Sequence, residues 1–184
     1  MILPIYLYGA EVLRQKAAPA DLSDKEGLEK LVADLQDTLA SAEGCGLAAP
    51  QVGRSLRVLI VDGTEMTDVY PYLEGFKRVM INPVVVEASE KKAEYEEGCL
   101  SIPGIYCSVL RPESMTVEYY NEHLEKVTER FDKFACRMIQ HELSHLDGDL
   151  FVDHVAAIRK KIIAKKLQSI AFGKVSARYA TKLK

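Results

Sequence analysis

The stretch QHELSHLDG, residues 140–148, decides how this chain is read. His141 and His145 stand four apart, with Glu142 directly after the first. On an α-helix, residues i and i+4 lie one above the other, so two imidazoles can point at one ion. Glu142 is turned away from that line by about one-third of a turn. From there a carboxylate can reach a water on a metal without ligating the metal, the logic of an HExxH site. Apolar positions run back through Phe131, Phe134, Ala135, Met138 and Ile139. That periodicity predicts a helix over 131–146 with one buried face, which would shelter an ion. The pattern is short, and an accidental histidine pair also matches it.

A catalytic metal takes three protein ligands and keeps one position for water. His123, in YYNEHLEK, lies in a polar turn. His154 follows His145 by nine residues, but the HExxHxxGxxH pattern would put a histidine at 151, where Phe151 stands. Cys99, in EEGCLSIPG, offers a thiolate, which a bound metal deprotonates outright. A buried structural cysteine is the competing reading of Cys99. The residues alone leave the third ligand open among these.

Working outward, SDKE at 23–26 fits a capping box, with Ser23 as N-cap and Glu26 three later. Leu28, Leu31, Val32, Leu35 and Leu39 then follow at helical spacing, and the helix should end near Gly44. GCGLAAPQVG, 44–53, is rich in glycine and small residues and reads as a tight irregular loop. RVLIVD, 57–62, is a buried strand. Residues 63–77 look like an inserted loop. RVMINPVVVEAS, 78–89, is extended and interrupted at Asn82-Pro83, and Met115 to Tyr120 alternates as a strand. An amphipathic helix over roughly 154–171 sets Val155, Ile158, Ile162 and Ile163 against a basic face, and the segment 154–184 is read as helix and tail. Strands first and a long helix late give an α+β class within one domain, 1–184.

Composition is that of a globular protein: 48% hydrophobic, 28% charged, formal net charge −3. The mildly acidic balance argues against nucleic acid as the main partner. No run of 18 apolar residues predicts a membrane span. The opening MILPIYLYGAEVLRQK lacks a basic region before its apolar stretch and does not read as a signal peptide. Cys45, Cys99, Cys107 and Cys136 make no CxxC pair, which suits a reduced, cytoplasmic setting.

Three motifs stand in one order: GCGLAAPQVG (44–53), EGCLS (97–101) and QHELSH (140–145) followed by LDG. Together they resemble the peptide deformylases, as does the opening ILPIYLYGAEVLRQKAAP (2–19). The resemblance runs from about residue 2 into the final helix. It implies antiparallel and mixed sheets packed around a central HExxH helix, with a C-terminal helix. It supplies the third ligand: the metal is held by Cys99, His141 and His145. It implies ferrous iron as that metal, with zinc, nickel or cobalt as substitutes. The implied reaction removes the formyl group from N-formylmethionine on newly synthesised polypeptides. Glu142 is then the general base, and the Gln51 side-chain amide and the Leu100 backbone N–H stabilise the oxyanion. Gly44, Cys45, Gly46, Leu47, Tyr95, Phe134 and Met138 take substrate-binding positions. Glu97 takes a scaffolding role. The partners implied are formyl-Met nascent peptides, with the protein a monomer. The basic final helix, with Arg159, Lys160, Lys161, Lys165 and Lys166, suggests transient ribosome contact.

The chain departs from the family pattern at three places. Ser144 stands where an aspartate is usual, so its customary partner, matched here by Arg111, must find another or stay solvated. Tyr106 replaces a substrate-holding arginine. Pro50 precedes the motif glutamine. Two other readings follow from these departures and from the basic helix: a different amide hydrolase on the same scaffold, or a non-catalytic metal-binding module. Glu142 and Gln51 argue against the latter, because a structural metal needs neither.

Overall fold

The computed structural model covers residues 1–184. Strand β1 (Ile5–Tyr6) opens the chain, and helix α1 (Lys25–Ala42) follows. The N-cap of α1 is Asp24, one residue later than the sequence suggests; its carboxylate accepts the Gly27 N–H at 3.0 Å. The Ser23 hydroxyl instead donates to Asp21 at 2.7 Å. Both side chains are competent caps, and Asp21 has taken the serine. The apolar stripe Leu28, Leu31, Val32, Leu35 and Leu39 is buried, and α1 ends where Glu43 turns left-handed.

Strands β2 (Gly46–Ala48) and β3 (Val58–Asp62) pair antiparallel. Residues Val58 to Val61 of β3 are all buried because both faces of the strand are covered. Val58 and Ile60 pack towards α1, while Leu59 and Val61 face the other core. The segment 63–77 folds into two single turns of 3-10 helix, Thr64–Met66 and Pro71–Leu73. It is more than a surface insertion: Leu73 is only 1% exposed. Strand β4 (Lys77–Ala88) runs through Asn82-Pro83 without breaking. Asn82 takes a left-handed φ of 52°, and its side chain both accepts from the Ala20 N–H and donates to the Ala20 carbonyl. The expected interruption is therefore a shift in register within one strand.

Strands β5 (Lys92–Cys99) and β6 (Ile102–Pro112) form a separate two-stranded sheet that sequence periodicity did not indicate. Strands β7 (Ser114–Tyr120) and β8 (Lys126–Asp132) complete an antiparallel sheet ordered β2-β3-β4-β7-β8. Helix α2 (Lys133–Leu146) packs on this sheet, and Leu59, Met80, Val117, Phe131, Ile139 and Leu146 share one core. The architecture is α+β around a central HExxH helix, as expected.

Helix α3 (Ala157–Ala171) packs against β6 in a different rotation from the one read in the sequence. Ile163 and Ile170 are buried, whereas Ile158 and Ile162 are 73% and 63% exposed. The tail then returns to the start of the chain. Strand β9 (Thr181–Lys182) pairs parallel with β1, joining the two termini. No helix is long and apolar enough to cross a membrane.

Candidate active site

Two elements deliver the side chains that could hold a metal. The end of β5 presents Cys99, and α2 presents His141 and His145 one turn apart. Their ligand atoms all lie within 4.8 Å of one another. Cys99 Sγ is 3.3 Å from His145 Nε2, and the two imidazole centroids are 5.2 Å apart. The alternatives fall away: His154 pairs with Asp149 at the surface, and His123 lies in an exposed turn. One thiolate and two imidazoles form a donor set suited to late divalent ions. Buried Glu142 Oε2, on the residue that lines the cleft beside the cluster, has no hydrogen-bond partner within the protein. Such orphaned atoms are rare in a finished structural core and fit a site completed by another group.

Burial pushes the Glu142 carboxyl up to about 7, with nearby Glu97 adding to the rise and His141 opposing it. Burial likewise drives His145 well below its ordinary value, so its imidazole is neutral, as a metal ligand must be. At His141 burial works against protonation, but Cys99 and Glu97 outweigh it and raise the group. His141 Nδ1 lies 3.9 Å from Glu97 Oε1, too long for a hydrogen bond, so that contact is Coulombic.

Glu97 is the hub beneath the site. Arg111 grips it with two bonds, Nε to Oε1 at 3.0 Å and Nη2 to Oε2 at 3.1 Å. Arg137 Nη1 adds a longer contact at 3.5 Å, while the same guanidinium donates to the carbonyls of Val109 and Ala93. Against the opposing effect of burial, His141 and Arg111 hold Glu97 down to about 2, so it is ionised. This network answers the question raised at Ser144. Arg111 is not left solvated: it pairs with Glu97, and its Nη1 also donates to Ser144 Oγ at 2.9 Å. Ser144 in turn donates to the Gln140 carbonyl at 3.1 Å. The buried Arg137 was not picked out in the sequence; its place in α2, one turn before His141, was the available signal.

Gln51 lies in a 3-10 turn, Ala49–Val52, directly after β2, and Pro50 sits in its first turn. Its Oε1 accepts the Ala48 N–H at 2.9 Å. Its Nε2 donates to Ser101 Oγ at 3.1 Å and lies 3.6 Å from Cys99 Sγ. The Leu100 backbone N–H, in the turn between β5 and β6, donates to no protein acceptor. Gly46 runs beside the glutamate: a Cβ there would sit 2.5 Å from Glu142 Oε1. At Gly44 a Cβ would meet the Leu100 side chain at 2.8 Å.

These residues open on one cleft of about 920 Å³. Gly44, Cys45, Gly46, Phe134 and Met138 line it. Leu47 does not: its side chain is fully buried towards α1, because it points to the opposite face of β2. Tyr95 also stands back from the cleft, edge-on against Phe134 at 5.5 Å. Tyr70, from the 63–77 segment, stacks on Phe134 at 4.4 Å. Met66 from the same segment reaches the cleft, as do Ser176 to Tyr179 of the tail. Tyr106 lies on its rim, packed over Gly98, where a Cβ would fall 2.5 Å from the ring.

A thiolate and two histidines on a shielded helix, with a buried glutamate beside them, define a metallohydrolase of the HExxH class. Comparison with known proteins narrows the class. A family model described as polypeptide deformylase matches residues 2–161. A peptide deformylase of Chlorobium limicola is 42% identical over 179 residues, covering 97% of this chain and 94% of that protein. One from Chlorobaculum tepidum is 44% identical over 179 residues, covering 97% and 93%. Among solved structures, a peptide deformylase from Legionella pneumophila superposes with a TM-score of 0.82 at 33% identity, covering 95% of this chain and 98% of that one. The peptide deformylase of Thermus thermophilus gives 0.81 at 34% identity, covering 95% and 100%. The chain belongs to the polypeptide deformylase family, and it is an enzyme.

Proposed function

We propose that this protein removes the formyl group from N-formylmethionine at the N-terminus of newly made polypeptides. The observation that carries the reading is the convergence of Cys99, His141 and His145, with Glu142 beside them on an open cleft. A divalent metal held by those three residues would acidify water and polarise the formyl carbonyl. Ferrous iron is the family's metal, and zinc, nickel and cobalt suit the same donors.

The protein's own groups do the rest. Glu142, with its carboxyl near 7, takes a proton from the attacking water and returns it to the departing amine. The Leu100 N–H and Gln51 Nε2 donate to the formyl oxygen as it gains charge. Gly46 leaves space for the glutamate and offers its strand edge to the substrate main chain. Phe134, Met138 and Cys45 supply the apolar wall for the methionine side chain. Lys161, Lys165 and Lys166 on α3 are exposed and favour a transient meeting with the RNA surface from which nascent chains emerge.

The test compares formyl-Met-Ala-Ser with acetyl-Met-Ala-Ser on the metal-loaded protein. Turnover of the formyl peptide alone, stopped by a chelator, is the expected result. Equal turnover of both peptides would overturn the assignment in favour of a broader amide hydrolase.

A further inference from the structure

The turn that carries Cys99, Leu100 and Ser101 is gripped from outside by both ends of the chain. The Tyr8 N–H donates to the Ser101 carbonyl at 2.8 Å. The Tyr179 hydroxyl donates to the Leu100 carbonyl at 2.7 Å. Tyr8 follows β1 and Tyr179 precedes β9, and those two strands are zipped together. The Ile5 N–H reaches the Ala180 carbonyl at 2.9 Å, and the Leu7 N–H reaches the Lys182 carbonyl at 2.8 Å. Tyr179 therefore hangs from a fixed strand rather than from a free tail. Its half-buried ring packs with the α1 core, where Leu100 also packs. Burial pushes its hydroxyl up to about 12, so it remains a proton donor throughout the neutral range.

We propose that Tyr179 is a positioning residue for catalysis, holding the Leu100 carbonyl so that the Leu100 N–H stays aimed into the cleft as an oxyanion donor. This rests on the deformylase reading above. The N–H and C=O of Leu100 flank one Cα, so fixing the carbonyl limits rotation about that residue. Cys99 is tied on one side by its role as ligand, and Ser101 on the other by Tyr8 and Gln51. The Leu100 carbonyl completes the restraint, and Tyr179 is the side chain that bonds it. Oxyanion donors work by being aimed before charge develops, so a loosened donor loses part of its value even when present.

The test is Tyr179→Phe in the metal-loaded protein, which keeps the ring and its packing. Removing an oxyanion donor costs about 10²–10³ in kcat, so loosening one should cost a smaller part, about tenfold. KM for formyl-Met-Ala-Ser should stay within about twofold, because uniform binding is untouched. Hydrogen exchange at the Leu100 and Ser101 amides should quicken by about fivefold or more, with metal content unchanged. Unchanged exchange and unchanged kcat would overturn the proposal and leave Tyr179 as a tether for the tail. A kcat loss that merely follows metal loss would overturn it as well. An active wild type with an unaffected variant sinks only this proposal, whereas an inactive wild type sinks the deformylase reading beneath it.

Discussion

Gly46 and Glu142 stand so close that a Cβ on the glycine would lie 2.5 Å from the glutamate Oε1. The strand proposed to face the substrate and the residue proposed to move the proton are thus fitted to each other. Gly46→Ala must displace Glu142 or the strand. A displacement near 1 Å costs about 100-fold in rate, so kcat should fall by about that factor. Steady-state formate release with a parallel metal assay checks this; full activity would show that Glu142 has room to spare.

Glu142 is orphaned at Oε2 and lies beside the ligand cluster without belonging to it. Glu142→Gln preserves size and removes the proposed base. Activity should drop by about 10²–10⁴-fold while metal binding stays intact. Metal loss on this substitution, read by elemental analysis, would make Glu142 a ligand and contradict the assigned role.

The Glu97–Arg111 pair is buried, with side chains 3% and 10% exposed. Arg111→Met leaves Glu97 with the 3.5 Å contact to Arg137 and the 3.9 Å Coulombic contact to His141. Breaking one side of a buried pair costs about 3 kcal/mol, and urea unfolding should show it. Ser144→Ala removes one neutral partner of Arg111 and leaves the Glu97 grip, so it should cost about 1 kcal/mol or less, with activity retained. Equal losses from both substitutions would mean that the serine, not the glutamate, carries Arg111.

Far from the site, Arg78 clasps Glu129 at 2.9 and 2.6 Å, and Tyr119 adds a third bond at 2.8 Å. Bonding to Arg78 holds Glu129 below its ordinary value of 4.5. A depressed folded-state pKa gives stability that is complete above the unfolded value and is lost as pH falls through the folded one. Glu129→Gln should therefore cost about 1 kcal/mol at neutral pH and progressively less below pH 4.5. Thermal melts of both proteins across the acid range decide it; a constant difference at every pH would contradict the linkage.

Much of this was legible because it is local. The His141–Glu142–His145 face and the α1 stripe follow from the 3.6-residue period, and β3 from an apolar run covered on both sides. The place of Cys99 beside the two histidines was not legible from periodicity. The β5–β6 register brings the cysteine to His145 across 46 residues, and β5 is too polar and half-exposed to announce itself. Leu47 was misplaced because a motif records that residues recur and not which way a strand turns them. On α3 the basic residues are exposed, but Ile158 and Ile162 share their outer side, and the buried stripe is Ile163 and Ile170. In the segment read simply as tail, Val175, Ala177 and Tyr179 alternate at a strand's period and are all half-buried. That alternation was the signal for the segment that reaches the turn of Cys99 and Leu100.

The most direct measurement is formate release from formyl-Met-Ala-Ser by protein purified without oxygen and loaded with ferrous iron, beside Cys99→Ala treated identically. The account predicts turnover in the wild type, and neither turnover nor bound metal in the variant. A wild type that binds metal fully and releases no formate, or a variant that keeps its activity, would contradict it.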